Sequence, residues 1–349
     1  MFEHTDLYDD ALLNAVCAVY HHVSIVWSLL VNLTLIALIL KGQRKDVGAY
    51  RYLLLTFATV DIYYALVHYV VMPIPESWGS AFCMTGHGYL TGKVAVCWFA
   101  GVHSHSFVVL VFHFLYRLLA VKRSQYIDLF ARPWFFGVQY ISVLLIGASW
   151  FCVLYYLFDV DEFVIDYVGK MLSDHALATV LPVEDYSTAV FWTNGTFSGP
   201  RWSPIFGVLV MAQTMSTGYG FMIYSAYKIR WYMIKDSGVV SKRTASLQKQ
   251  LLKALMYQML LPLLTAYSPP LISVVTPFLG ITMRLMSYAT PFLCATHPWL
   301  DGCVIIWTIK EYRMHLLRFF KKSKIANKDT RSASTVKQGH SIAGNSSNL

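Results

Sequence analysis

Two histidine pairs are the first candidates for chemistry, His21-His22 and His103-Ser104-His105. A zinc site would need both imidazoles of a pair to reach one ion. Adjacent helix residues stand about 100° apart and residues two apart about 200°, so neither pair chelates one ion easily. Catalytic spacings are missing as well: the chain has no Gly-x-Ser-x-Gly, no His-Glu-x-x-His and no Gly-rich phosphate loop. Enzyme activity, a cofactor and a metal site are therefore not expected. The polar residues that matter are few and sit inside long apolar runs: Asn32, Asp61 and Asp301, with Arg117 at the end of one run. An ionisable group in lipid is costly and usually faces the interior of a helix bundle. Pro262 interrupts a further run and Pro298 the run that holds Asp301, where a proline kinks the helix and freed carbonyls can serve a moving joint.

The elements that must position these residues follow from composition. The chain has 349 residues, 56 % hydrophobic and only 13 % charged, with a mean hydropathy of +0.48. A soluble domain carries about 25 % charge. This balance excludes disordered, collagen-like and coiled-coil chains. Six cysteines, mostly inside apolar runs, exclude a disulfide scaffold. A membrane-crossing helix needs about 20 apolar residues, and seven segments qualify: about 11–40, 52–75, 94–116, 134–157, 202–227, 254–283 and 285–309. The first and sixth are too long for one untilted crossing, so their ends are loop or reach beyond the core. The runs are continuous, unlike the alternating strands of a barrel. The fold class is thus an all-α membrane protein, a seven-transmembrane helix bundle with a short amphipathic C-terminal helix.

Charge orients the bundle. The loops after the first, third and fifth runs and the tail hold 24 of the 28 Lys and Arg residues. The other side has only Lys93, Lys170, Arg201 and Arg284, against twelve acids. The positive-inside rule puts the N-terminus outside and the C-terminus in the cytosol. The net charge of +9 is a topology signal, and a soluble basic face for nucleic acid does not exist. The N-terminus is acidic rather than basic, so the first span is expected to act as signal anchor in place of a cleaved leader. Asn194-Gly195-Thr196 offers a glycosylation site in a loop on the outer side. Asn32-Leu33-Thr34 and Asn345-Ser346-Ser347 share the pattern but fall in a span and in the tail, and should stay unmodified.

Four regions result: an extracellular N-terminus 1–10, the bundle 11–309, an amphipathic juxtamembrane helix 310–322 and a disordered tail 323–349. In the third, Ile309, Tyr312, Leu316 and Phe320 share a face ringed by Lys310, Arg313, Arg318 and Lys321, suited to the anionic inner leaflet.

The third run ends His113-Phe114-Leu115-Tyr116-Arg117, similar to the Asp-Arg-Tyr end of rhodopsin-like receptors with Tyr116 in the acidic position. Arg117 would snorkel in a closed bundle and meet a G protein when it opens. Asn32 and Asp61 also resemble that group, and His297-Pro298 followed by Asp301 loosely resembles its seventh-span motif. Its usual disulfide is missing, because the 159–201 loop has no cysteine to pair with Cys83. An opsin is excluded, since 285–309 holds no lysine.

A more specific resemblance covers about 20–320. Gly48-Ala49-Tyr50-Arg51-Tyr52-Leu53, Phe112 to Arg117, Leu247-Gln248 to Gln258 with Pro262, and Pro298-x-x-Asp301 to Ile309-Lys310-Glu311-Tyr312-Arg313 resemble the nematode chemoreceptors of serpentine receptor class r, the Str group. Gly302 departs from that pattern, which often has proline after the aspartate. The resemblance implies an odorant-type receptor for a small environmental molecule, coupled to a heterotrimeric G protein in the ciliary membrane of sensory neurons, with arrestin as a further candidate on the tail.

A ligand would enter from outside and sit between the outer halves of the helices. Cys97, Trp98, Gly101 and His105 lie near one helical face, with Thr265, Tyr267 and Tyr288 as polar-tipped candidates from the sixth and seventh spans. His105 lies roughly 18 Å above Arg117. G-protein contact is expected at Tyr116, Arg117, Lys242, Arg243, Lys249 and Lys253. The rival readings are a seven-span ligand-gated channel or transporter, and a non-signalling partner that traffics other receptors. No internal repeat favours a transporter.

Overall fold

The computed structural model describes residues 11–41, 50–174, 185–235 and 242–318. The expected N-terminal region 1–10, the basic residues Arg44 and Lys45, and the tail from 319 on fall outside the described residues.

Ten α-helices, two π-turns, one 3-10 helix (Gln125–Ala131) and three strands make up the described residues. The first four spans are α1 (Ala11–Lys41), α2 (Tyr50–Val71), α3 (Lys93–Val121) and α4 (Pro133–Cys152), the last continued by a π-turn, Val153–Leu157. A short helix, α5 (Glu162–Asp174), follows. The fifth span is α6 (Trp202–Lys235). The sixth runs through α7 (Lys242–Pro262), a π-turn (Leu263–Tyr267) and α8 (Ser268–Phe278). The seventh is α9 (Arg284–Thr308), and after a 92° bend α10 (Lys310–Arg318) leaves it. Continuous apolar runs fold as helices because lipid offers no partner for an open backbone. The 31-residue α1 is helical to both ends and outreaches a hydrocarbon core of about 30 Å.

The second run stops short of its expected end at Pro75. Met72 takes a left-handed φ of 47°, and the chain reverses into β1 (Pro73–Trp78). Pro73 disfavours helical backbone at the residue before it, so the helix ends there. β1 pairs antiparallel with β2 (Ala81–Gly86) through a two-residue turn whose Gly79 has φ 51°. β3 (Ser187–Val190) adds to β2, giving the order β1-β2-β3. Val164 and Val168 of α5 pack on this sheet with Tyr186 and Cys83. None of the six cysteines is in a disulfide. Hydrogen bonds fasten the sheet instead. Ser77 Oγ donates to the Ser273 carbonyl (2.7 Å), the Gly79 amide to Thr282 Oγ1 (3.0 Å) and Trp192 Nε1 to the Phe278 carbonyl (2.8 Å). All three acceptors lie in or just after α8, so the sheet caps one end of the bundle and is tied to the sixth span.

At the opposite, basic end, α10 lies across the bundle. Ile309 and Tyr312 are buried, Leu316 is half-buried and Leu317 is exposed. Phe320 and Lys321 of the expected amphipathic face lie outside the described residues.

Candidate functional site

Beneath the sheet, spans three to seven leave a cavity of about 420 Å³. That is within the range of small-molecule sites. Phe82 and Met84 of β2 roof it, Phe99, Ala100 and His103 of α3 form one wall, and Val208, Met211 and Met215 of α6 form another. Among the described residues that line it, none is Asp, Glu, Lys or Arg. An ion would lose its hydration there without a compensating charge, so the space suits an uncharged molecule.

Of the seven residues expected at a ligand site, Tyr267 lines this cavity. Its hydroxyl donates to the His103 carbonyl (3.2 Å), and the two rings meet edge-on at 4.9 Å. The other six lie outside the lining. Cys97 is buried in the packed cluster under the sheet. Trp98 Nε1 donates to Tyr63 Oη (3.0 Å), and His105 stacks on the Tyr63 ring at 6.1 Å. Gly101 faces α4, where a β-carbon would stand 2.8 Å from the Gly147 carbonyl oxygen. Thr265 Oγ1 donates to its own helix at Leu261 (2.8 Å), and Tyr288 is half-buried on α9. The four α3 residues do share a face, but it is the face that packs on α2 and α4. The neighbouring face, with Phe99, Ala100 and His103, meets the cavity. Gly101 carried the signal, because a glycine in a span marks close helix contact.

The sixth span breaks beside the cavity. Pro269 and Pro270 lack amide hydrogens, so carbonyls of the preceding turn lose their usual donors. The Cys294 thiol of α9 stands 3.9 Å from the Thr265 carbonyl oxygen and 3.8 Å from that of Ala266. Pro262 sits directly before the π-turn.

A polar core lies deeper. Asp61, His297 and Asp301 are buried and present ligand atoms all within 4.8 Å of one another. His297 Nδ1 is 3.5 Å from Asp301 Oδ2, and Ser106 Oγ donates to Asp61 Oδ1 (3.4 Å). Asp61 Oδ2 and both Asp301 oxygens have no hydrogen-bond partner among the described residues. Each of the three residues offers one ligand atom, so the trio could hold a cation. No pair of neighbouring histidines points to this trio, because its members come from two spans. The i, i+4 spacing of His297 and Asp301 was the available signal. Asn32 Nδ2 donates to the Ser28 carbonyl (3.1 Å) and across to the Pro298 carbonyl (3.0 Å), joining the first and seventh spans.

At the basic end Arg117 does not snorkel. It is 8 % exposed and lies over the Tyr50 ring. His113 Nε2 is 3.0 Å from the Leu53 carbonyl and must donate to it. That tautomer leaves Nδ1 to accept from Tyr50 Oη at 3.4 Å. Tyr116 stacks on Tyr50 at 5.3 Å and meets Phe130 edge-on. Arg117 is thus held by the Tyr50 ring, with Tyr116 standing where a rhodopsin-like end has its acid. Lys249 and Lys253 are exposed on α7. Lys242 and Arg243 begin that helix. Asn194 is exposed in a turn at the sheet end, where its amide donates to the Ser198 carbonyl (3.2 Å).

Comparison with known proteins agrees with this architecture. The family model described as serpentine type 7TM GPCR chemoreceptor Str matches residues 17–317. "Serpentine receptor class r-10" of Caenorhabditis elegans is 27 % identical over 322 residues, covering 89 % of this chain and 92 % of the relative. The protein of that name from Caenorhabditis briggsae is 27 % identical over 83 % of this chain and 86 % of its own length. "G-protein coupled receptor str-33" of Caenorhabditis elegans is 20 % identical over 84 % of this chain and 87 % of its own.

Proposed function

We propose a chemosensory role from one premise: the chain belongs to the Str family of serpentine seven-transmembrane chemoreceptors. It acts as a receptor that binds a small environmental molecule and activates a heterotrimeric G protein. The sheet end faces outward, with the N-terminus, and the basic end faces the cytosol. The carrying observation is the uncharged cavity of about 420 Å³ at the sheet end, walled by the broken sixth span.

A ligand there touches Tyr267 and Leu263 of the π-turn and Pro270 of α8. Packing against these residues biases the bend of the sixth span, whose other end carries Lys249 and Lys253. A ligand that prefers one bend shifts the population of that state. Opening of the basic end would release Arg117 from Tyr50 and present it to the G protein, beside Tyr116, Lys242 and Arg243. Asn32, Asp61 and Asp301 link the first, second and seventh spans during that shift. Residence in the ciliary membrane of sensory neurons fits this role.

The test is a G-protein reporter in cells expressing the full chain, screened against uncharged odorants. Ala212→Trp fills the cavity and should abolish any response found, with surface expression unchanged. Arg117→Ala should do the same from the other end. A full response in both variants overturns the proposal.

A further inference from the structure

The walls of the cavity differ in what lies behind them. Under the sheet the lining is closed: Phe82, Met84 and Phe158 are 3 %, 8 % and 0 % exposed. Strand pairing and the Ser77, Gly79 and Trp192 hydrogen bonds hold that roof on the sixth span. Toward the fifth and sixth spans the lining is open. Ile223 of α6 and Leu271 of α8 both line the cavity, yet they are 58 % and 53 % exposed. A residue that lines a cavity and is more than half exposed stands at its mouth.

That mouth is a slot. On α6 the lining runs from Val208 to Ile223, which is about 22 Å of helix at 1.5 Å per residue. On the sixth span it runs from Leu263 to Val274, about 16 Å. Both stretches lie within spans that cross the hydrocarbon. α6 packs on α3 and on the π-turn of the fourth span, and barely touches α8. The slot therefore faces lipid tails, while the roof keeps water out.

We infer that the ligand is an uncharged lipophile that first dissolves in the bilayer and then reaches the cavity sideways, between the fifth and sixth spans. This rests on the reading of the cavity as the ligand site. It changes which compounds the receptor senses: bilayer concentration, set by lipophilicity, governs occupancy, and charged or strongly hydrated molecules are rejected before they reach the site.

The test uses the full-length protein in phosphatidylcholine vesicles, with Met211→Cys as a thiol inside the cavity. Two reagents are compared: N-(1-pyrenyl)maleimide, uncharged and lipophilic, and a quaternary-ammonium methanethiosulfonate confined to water. Modification is read residue by residue by peptide mass spectrometry. The maleimide should label residue 211 and the cationic reagent should not. Ile223→Trp with Leu271→Trp should slow that labelling at least about tenfold. The exposed native Cys152 should label at an unchanged rate in every variant. Should Met211→Cys fail to fold, Met215→Cys on the same lining reports in its place.

Rapid labelling by the cationic reagent, or no slowing by the two tryptophans, overturns the lateral route and leaves the cavity as a site. Labelling by neither reagent means the cavity admits no ligand, which overturns the route and the site together.

Discussion

The guanidinium carbon of Arg117 lies 4.1 Å from the centre of the Tyr50 ring. Both residues are buried, and Tyr50 in turn leans on His113 and Tyr116. The cation is held by the quadrupole of an aromatic face from the second span, in place of a carboxylate beside it in its own. A desolvated contact of this kind contributes about 2 kcal/mol.

Removing the ring should therefore loosen the closed state. Tyr50→Ala is expected to raise ligand-independent reporter activity by about tenfold. Tyr50→Phe keeps the ring and loses only the hydroxyl contact with His113, so it should stay near the basal level. Equal activity of the two variants would refute the ring as the holding element.

Gly302 makes a packing prediction. A β-carbon there would stand 2.7 Å from Val31 Cγ1 and 3.0 Å from Asn32 Oδ1. The glycine lets the seventh span approach the first closely enough for Asn32 to reach the Pro298 carbonyl. Gly302→Ala should cost about 1–3 kcal/mol in the stability of the solubilised protein. Val31→Ala in the same chain should restore part of it. Additive losses in a thermal-unfolding assay would contradict the clash.

Asp61 and Asp301 should not act independently. Their carboxyl oxygens share one buried site with His297. In a double-mutant cycle of Asp61→Asn and Asp301→Asn, the coupling in stability is expected to exceed about 0.5 kcal/mol. A cycle that closes to zero would place the two groups in separate environments.

At the sheet end, Arg201 holds Asp161 through two contacts, 2.6 and 3.1 Å. The guanidinium keeps the Asp161 carboxyl below its ordinary range. A depressed carboxyl stabilises the folded state above its unfolded pKa of about 3.9, and that contribution is lost as pH falls through the folded value. The stability difference between the native chain and Asp161→Asn should thus be flat from about pH 5 to 8 and shrink below about pH 4. The pair is half-exposed, so salt should shrink the difference as well.

Asn194 gives a prediction about orientation. Its exposed turn leaves room for a glycan if the sheet end is extracellular. Asn194→Gln should remove a glycosidase-sensitive mobility shift on a gel, while Asn32, buried in the first span, should carry none. A native chain that shows no shift would count against the outward placement.

The seven spans were legible because lipid imposes one solution on long apolar runs, and the C-terminal helix after Thr308 was legible from its amphipathic spacing, though not its 92° bend. The sheet was not legible. Pro73-Ile74-Pro75 reads as the tail of an apolar run, and two prolines argue against a strand. They are tolerated in β1 because it is an edge strand. The break of the sixth span was visible in Pro262, but its contact with Cys294 was not, since sequence spacing says nothing of partners on another helix. The same limit explains Cys97, Trp98, Gly101 and His105. Periodicity tells which residues share a face, but not which neighbour that face will meet. Tyr267 reached the cavity because it shares one helical face with Leu263, Pro270, Leu271 and Val274, and that face is the one turned toward it.

The roof over the cavity has a consequence for how the protein can be made. Cys83 lies buried in β2, where loss of water pushes its thiol up to about 12. In the folded protein the thiol is therefore protonated at physiological pH and a poor nucleophile. A lid built from strand pairing and hydroxyl contacts matures without an oxidising step. Since none of the six cysteines is in a disulfide, synthesis in a reducing extract with added detergent or lipid should give the same folded product as passage through a secretory compartment.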